Sequence, residues 1–355
     1  MMKVLMAMSG GVDSSVAAKL LCDEGYECIG CTMKLYDNCD ADLPRGRTCC
    51  SLDDVEDARS VAFSLGMRYY VFNFKDDFRE KVIKKFASGY LRGQTPNPCI
   101  DCNRYMKFDK LFERAKLLGC DKIATGHYAR IEFDGRKYRL KKALDKSKDQ
   151  SYVLYMLTQE QLAHTLFPLG SLHKTDTRAI ADTAGLSSAH KPDSQDICFV
   201  PDGDYAAAIE RLAGIKAPCG NFIDASGKVI GTHRGITHYT VGQHRGLGLS
   251  LPERRYVCSI DAENSTVTLG GNDELYSSTA EVRGFNWISG ETPAEPIRCT
   301  AKIRYRQPEQ PATAIAHKDG SITIQFDAPQ RAVTPGQAAV LYDGDTVLGG
   351  GEIVR

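Results

Sequence analysis

The sequence predicts a doubly wound α/β domain built on a parallel sheet, followed by a short glycine-rich region and an all-β unit. Three observations support this reading. Strand-like apolar runs alternate with helical stretches of ten to fifteen residues up to about residue 125. The character changes after about Pro201, where residues 204–275 hold one short helix and then glycine-rich short strands. From about residue 276 only β segments remain (CTAKIRYR, ATAIAH, SITIQF, AAVLY, VLGGGEIV), punctuated by Pro and Gly, which suits a small barrel or sandwich.

Taken in order, residues 3–8 (KVLMAM) read as a buried strand, and a Ser/Gly turn leads into a helix from about Ser14 to Cys22 that Gly25 ends. A second strand covers about 26–33. Ser51 with Asp54 has the spacing of a capping box for a helix running to Leu65 and stopping at Gly66. A strand at 68–74, helices at about 77–91 and 104–118, and a strand at 121–125 complete the alternation. Ligands of such sheets sit beyond the carboxyl ends of the strands. The 9–13 turn, Met33 and the Gly126-His127 turn therefore share one edge.

The chain has 355 residues, enough for two or three domains. Its formal net charge is zero, so attraction for a nucleic acid has to be local. The N-terminal apolar run breaks at Ser9-Gly10-Gly11, too early for a signal peptide or a membrane span, and the expected compartment is the cytoplasm. Thirteen cysteines, an odd number spread over a long chain, argue against a secreted disulfide framework.

Ser9-Gly10-Gly11-Val12-Asp13-Ser14-Ser15 joins a strand to a helix. Two glycines let the backbone approach an anion, and the helix N-terminus points unpaired N–H groups at it. An ordinary strand–turn–helix with a good cap is the plain alternative. No lysine follows the glycines, so this is not the GxxxxGK[ST] loop. It resembles the SGGxDS pyrophosphate loop of the N-type ATP pyrophosphatases, which activate a carbonyl oxygen by adenylation so that a nucleophile can displace it.

Cys102 lies in GQTPNPCIDCN, where Pro96 and Pro98 hold the chain extended and a helix is expected from near Asn103. A thiol near a helix N-terminus has its thiolate stabilised, which makes Cys102 a candidate nucleophile. Cys198 sits in KPDSQDICFV with Lys191 nearby in sequence. Most other cysteines read as inert small hydrophobes, and Cys39, Cys49 and Cys50 fall in an irregular stretch over 40–50 that suggests a mobile loop. CxxC also suits zinc or redox chemistry, but no second CxxC completes a four-cysteine site.

SGGVDSSV, GCTMK (30–34), TPNPCIDCN (95–103), KFDKL (107–111), ATGHYAR (124–130), KDQSYVLYML (148–157), DSQDICFV (193–200), TVGQHRGLG (240–248), RYRQ (304–307) and TPGQAAVLY (334–342) together resemble the bacterial tRNA-specific 2-thiouridylases, in order and along the whole chain. The resemblance implies three parts: an ATP-pyrophosphatase domain over 1–203, a small central α+β domain over 204–275 and a C-terminal β-barrel over 276–355. It implies 2-thiolation of the wobble uridine of tRNAs for Lys, Glu and Gln, with ATP and Mg2+, a sulfur-donor or relay protein as partner, no membrane, and a monomer. It places ATP on Ala7, Met8, Ser9, Gly10, Gly11, Val12, Asp13, Ser14, Met33 and Gly126. Cys198 corresponds to the persulfide cysteine and Cys102 to its partner thiol. Asn97, Pro98 and Cys99 form the target-base segment. His127, Lys148, Asp149, Gln150, Arg304, Tyr305 and Gln337 match tRNA-contacting positions.

The chain departs from the family pattern at Cys99, where many members carry an aspartate proposed as a general base. Three cysteines, 99, 102 and 198, could then hold a [4Fe–4S] cluster in place of the persulfide–disulfide route. Residues 130–148 carry eight Lys/Arg against three Asp/Glu, either a stripe for an RNA backbone or a solvated hairpin face. The rival readings are a synthetase that aminates a small adenylated metabolite, which needs no cysteine pair, and a non-catalytic metal- or RNA-binding protein.

Overall fold

A computed structural model of the chain describes residues 1–36, 52–191, 197–200 and 203–355. Ser51 of the expected capping box, the 40–50 loop, and Cys39, Cys49 and Cys50 lie outside the described residues.

The first strands are β1 (Lys3–Ala7), β2 (Glu27–Lys34), β3 (Arg68–Asn73) and β4 (Lys122–Ala124). A hairpin of β5 (Ala129–Phe133) and β6 (Tyr138–Lys142) then leaves this sheet, and β7 (Thr165–Leu166) returns to its edge. The order is β3-β2-β1-β4-β7, all pairs parallel. Connections run one way from β1 to β3 and the other way through β4, so the loops after β1 and β4 flank the topological switch point. Val4, Leu5 and Met6 of β1 are all buried. Leu5 packs with Ile29, Phe108 and Ile123 on one face, while Val4 and Met6 pack with Val16, Ala17 and Val61 on the other. This is the uninterrupted apolar signature of a strand covered on both sides.

The covering helices include α1 (Val12–Asp23), α2 (Leu52–Ser64), α3 (Lys75–Phe78), α4 (Lys84–Leu91), α5 (Pro98–Asp101) and α6 (Leu111–Leu117). A π-helical segment, Arg79–Ile83, joins α3 to α4, and a longer one, Cys102–Lys110, joins α5 to α6. The second helical stretch therefore starts at Pro98, not near Asn103. Pro98 fits the first helical position, and the Asn97 side chain caps it by accepting from the Cys99 N–H at 3.1 Å. Cys99 thus occupies the first turn and Cys102 the second. Because the helix dipole acts mainly within the first turn, that argument for an activated thiolate belongs to Cys99 rather than Cys102.

After α7 (Gln159–Ala163), α8 (Lys174–Thr183) and α9 (Tyr205–Ala213), the strands β8 (Gly220–Ile223), β9 (Val229–His233), β10 (Tyr256–Asp261) and β11 (Thr266–Gly270) form a small sheet in the order β10-β11-β8-β9. Its apolar side packs around Phe222, Tyr239, Val257 and Leu269. The last unit comprises β12 (Tyr276–Trp287), β13 (Ile297–Lys302), β14 (Gln310–Ala316), β15 (Ile322–Arg331), β16 (Ala338–Asp343) and β17 (Thr346–Ile353). The order β12-β15-β14-β13-β16-β17 closes through β12–β17 pairing, which makes this a six-stranded barrel and not a sandwich. Its interior mixes Ala280, Ala301, Ala312 and Ala314 with Ile324 and Leu341, small residues that a narrow barrel requires.

The basic 130–148 stretch has a structural use. The β5–β6 hairpin extends the barrel sheet at Lys141 opposite Thr346. Arg130 pairs with Asp345 at 2.8 Å, Lys137 with Glu291 at 2.7 Å, Arg139 with Asp134 at 2.7 Å, Lys141 with Glu132 at 3.0 Å and Lys142 with Glu309 at 2.6 Å. At least five of its eight cations are thus engaged in ion pairs, four of them reaching the C-terminal unit once the Lys141–Asp345 pair at 4.0 Å is included.

The segment ahead of α5 is clamped by the barrel. The Thr95 N–H donates to the Pro335 carbonyl at 2.8 Å, and Gln337 Nε2 donates to the Thr95 carbonyl at 2.5 Å. Gly336 has φ +88, and a Cβ there would lie 2.8 Å from the Thr95 nitrogen. Gly336→Val is expected to lose about 2 kcal/mol or more, combining backbone strain with displacement of this segment. Gly344→Ala, at φ +55 with nothing near its Cβ, should cost about 1 kcal/mol. Thermal unfolding of the two variants checks the contrast, and equal losses would mean that the clamp adds nothing.

Candidate active site

The loop after β1 is built by close backbone approaches. Gly10 has φ +76, and a Cβ on it would collide with the Asp54 carbonyl at the start of α2. Gly11 caps α1 in an extended conformation and leaves its first N–H groups facing outward. The Ser14 hydroxyl accepts from the Ser9 N–H at 3.1 Å and donates to the Gly11 carbonyl at 3.1 Å, which fixes the turn. Gly126, after β4, comes so close that a Cβ would lie 2.9 Å from the Ser14 nitrogen. The loops at the switch point therefore touch, as an anion cradle demands. Met8 and Val12 are buried on one face of the sheet, while Ala7 and Met33, the latter one residue before the end of β2, pack against the cluster on the other face.

Asp13 is the carboxylate of this loop. Lys174 Nζ reaches its two oxygens at 2.7 and 2.8 Å, and the Tyr128 hydroxyl donates to Oδ1 at 2.8 Å. Lys174 is 8% exposed. The pair neutralises a negative charge that would otherwise repel a polyphosphate. Neither Lys174 nor Tyr128 was singled out from the sequence. Tyr128 lies in the ATGHYAR motif, whereas nothing local distinguishes Lys174, which meets Asp13 only through the packing of α8 on α1.

Cys102 and Cys198 reach the same apolar cluster, that of Phe78, Phe86, Met106 and Phe199. Met33 packs against this cluster as well as the one beneath the sheet, so it links the loop edge to the two cysteines. The Tyr36 hydroxyl donates to the Cys198 carbonyl at 2.9 Å, and Phe199 stands edge-on to both Phe78 and Phe86. Lys191, the cation near Cys198 in sequence, pairs with Asp54 at 2.8 Å and also with Asp57, both on α2.

Cys99 is exposed and lies near Tyr305, whose phenol is pushed up chiefly by burial, then by Asp149 and Cys99. Asp101 is 5% exposed and pairs with Lys85 at 2.8 Å, and its carboxyl is pushed up because burial outweighs the lysine. It occupies a different helix face from Cys99, so it does not stand in for the missing aspartate. Among the described residues no three His, Cys, Asp or Glu side chains converge as a metal site.

The residues matched to tRNA contacts are spread over several elements. His127 is 7% exposed, with Nε2 3.3 Å from Lys107 Nζ and Nδ1 2.6 Å from the Thr125 hydroxyl. Lysine only donates, so Nε2 accepts and Nδ1 carries the proton. Asp149 accepts from the Ala143 and Ser151 N–H groups, and Gln150 Oε1 accepts from the Tyr128 N–H at 2.9 Å. Arg304 donates to the Val241 and Ala332 carbonyls and to the Thr334 hydroxyl, tying the central unit to the barrel. Gln337 holds Thr95. Lys148 is partly exposed, and Tyr305 shows the most surface of the set at 38%.

Three family models match in succession: a tRNA methyl transferase HUP domain over residues 2–202, a tRNA methyl transferase PRC-barrel domain over 212–271, and an aminomethyltransferase β-barrel domain over 277–353. The tRNA-specific 2-thiouridylase of Acetivibrio thermocellus is 52% identical over 99% of this chain and 99% of its own length. The one from Clostridioides difficile is 48% identical over 99% and 98%. The chain belongs to the tRNA-specific 2-thiouridylase family. Its members share the whole three-part length, so the clamp on Thr95 joins regions that occur together in these relatives.

Two outcomes follow from this geometry. Lys174→Met should weaken ATP binding at least tenfold and cost about 2 kcal/mol of stability, since a half-buried carboxylate loses its partner; calorimetric ATP titration and thermal melts check both. The His127 ring is held well below the usual imidazole range by burial and then by Lys107. It stays neutral in the native state, while the unfolded chain binds a proton below about pH 6.5. Stability is therefore lost as pH falls through that value, by at most about 1.4 kcal/mol per pH unit. His127→Gln should show a smaller drop in Tm between pH 7.5 and 5 than the parent, and an equal drop would contradict a buried neutral ring.

Proposed function

We propose that this protein is an ATP-dependent tRNA sulfurtransferase that places sulfur on C2 of the wobble uridine of tRNAs for Lys, Glu and Gln, working through a cysteine persulfide in the cytoplasm. The observation that carries the reading is the meeting of Cys102 and Cys198 on one apolar cluster, linked through Met33 to the loop built for a polyphosphate. Full-length membership of the family supports the substrate class.

ATP lies with its phosphates on the loop of Ser9 to Ser14, and Mg2+ accompanies the triphosphate, since such ions are held mainly through substrate phosphates. The extruded uridine enters beside Asn97, Pro98 and Cys99. Its C2 oxygen attacks the α-phosphorus, releasing pyrophosphate and giving an adenylated leaving group. A sulfur-donor protein loads Cys198 as a persulfide. The terminal sulfur forms a bond to C2 as the C2–O bond breaks and AMP leaves. The Cys102 thiolate then attacks the Cys198 sulfur, so that the S–S electron pair stays with the transferred sulfur and a Cys102–Cys198 disulfide forms. A two-electron thiol reductant restores both cysteines. The apolar surroundings keep water from the adenylated carbon.

Cys198→Ser should form no thiolated tRNA yet still release pyrophosphate when ATP and tRNA are supplied together, because adenylation precedes sulfur transfer. Cys102→Ser should lose turnover by at least a hundredfold. Protein stripped of iron by a chelator should retain full thiolation of unmodified lysine tRNA with a persulfide donor. Activity that disappears with iron and returns on rebuilding a cluster would overturn the persulfide route.

A further inference from the structure

The helix that carries Cys102 has a second lined face. Asn97, Ile100, Asp101 and Arg104 recur at helical spacing and line a cavity of about 240 Å3 whose far wall is the C-terminal barrel. Four cations border it, Lys85, Arg92, Arg104 and Arg283, against two carboxylates, Asp101 and Glu352. Lys85 is committed to Asp101 at 2.8 Å. Arg92 donates to the Gln94 side chain, and among the described residues no carboxylate pairs with Arg104 or Arg283 within 4.0 Å. The barrel wall stays open because its residues are small. Gly284, at φ +59, breaks the β12 ladder just after Arg283 and has nothing within 4 Å of its Cβ position, and Gly336 and Ala338 face it.

We propose that this cavity is a phosphate subsite for the RNA substrate, in which Arg104 and Arg283 hold a backbone phosphodiester next to the nucleotide received by residues 97–99. The inference rests on the proposed function for the identity of that RNA. Asn97 lies on both the cavity wall and the target-base segment, so a strand whose base enters at 97–99 brings its flanking phosphates to this side of the helix. Two arginines from different domains, neither in an ion pair among the described residues, provide the planar donor pattern that phosphate oxygens accept. The cavity exists only while the barrel is docked. RNA binding there would read the assembled state of the whole chain.

The test uses the full-length protein with Arg104→Gln, Arg283→Gln and the double variant, and measures tRNA affinity across a salt series together with thiolation kinetics. The double variant is expected to bind tRNA about tenfold more weakly near 100 mM salt, with the slope of log K against log salt reduced by about 0.7–0.9 for the one phosphate lost. KM for tRNA should rise with kcat unchanged, and Arg283→Lys should keep most of the salt slope. Arg283 is solvent-exposed, so unaltered melting curves are expected and would separate lost contact from lost fold. Unchanged affinity and slope would overturn the proposal. So would a variant that loses only protection by inorganic phosphate, because the site would then serve a free anion. Wild-type protein that binds tRNA with the arginine-dependent slope yet transfers no sulfur would refute the proposed function and leave this subsite standing.

Discussion

The site depends on how one short strand of chain is held. Thr95 gives its N–H to the Pro335 carbonyl and accepts from Gln337 with its own carbonyl, so both of its peptide groups are committed to the barrel. Its hydroxyl lies 3.4 Å from that of Thr240 in the central unit, and two residues earlier Gly93 sits against Ile260. Three units thus converge on residues 93–95, immediately before the Asn97 cap. Pro96 and Pro98 bias the residues before them away from helical angles, which keeps the strand extended until the helix can begin. A C-terminal barrel that contributes neither candidate catalytic cysteine therefore sets where Cys99 and Cys102 stand.

The helix that follows serves two cores by changing register. Cys102, Tyr105 and Met106 pack on the cluster shared with Cys198, while Phe108, Leu111, Phe112 and Ala115 pack beneath the sheet. A regular α-helix presents one stripe. The π-helical run from Cys102 to Lys110 widens the turn between these two sets and shifts the stripe around the axis. Buried Asn103 anchors the change by donating to the Val153 carbonyl at 3.0 Å. The irregularity falls on the segment that carries the candidate nucleophile, and it lets Cys102 pack on the cluster it shares with Cys198 while α6 packs beneath the sheet.

The parallel sheet and the SGGVDS loop were legible in the sequence because both are local signals. A strand buried on both faces reads as KVLMAM, and a loop that must approach an anion reads as paired glycines before a helix. The local pattern of the last unit left barrel and sandwich open, since β12–β17 pairing joins residues some seventy apart and leaves no local trace; the expectation of a barrel came from the family resemblance. The helix start differs from the expected Asn103 because Pro98, read as holding the chain extended, instead occupies the first helical position. Asn97-Pro98, a cap followed by proline at the first helical position, was the stronger signal. Lys174 was invisible because its only mark is a contact across 161 residues.

The charge distribution shows why a chain of zero net charge suits a polyanionic substrate. The most basic stretch, 130–148, looked like an RNA stripe, yet most of its cations are paired to carboxylates, several of them on the barrel. Exposed pairs of this kind stabilise little individually. Their larger effect is on selectivity, because a paired cation offers little attraction to an arbitrary phosphate backbone and the molecule carries no broad positive field. Among the described residues Arg104 and Arg283, at the junction of domains, are in no ion pair, and an RNA shaped to place a base at residues 97–99 can use them. Pairing the cations of the 130–148 hairpin while cations border the junction makes affinity depend more on engagement of the site and less on charge alone.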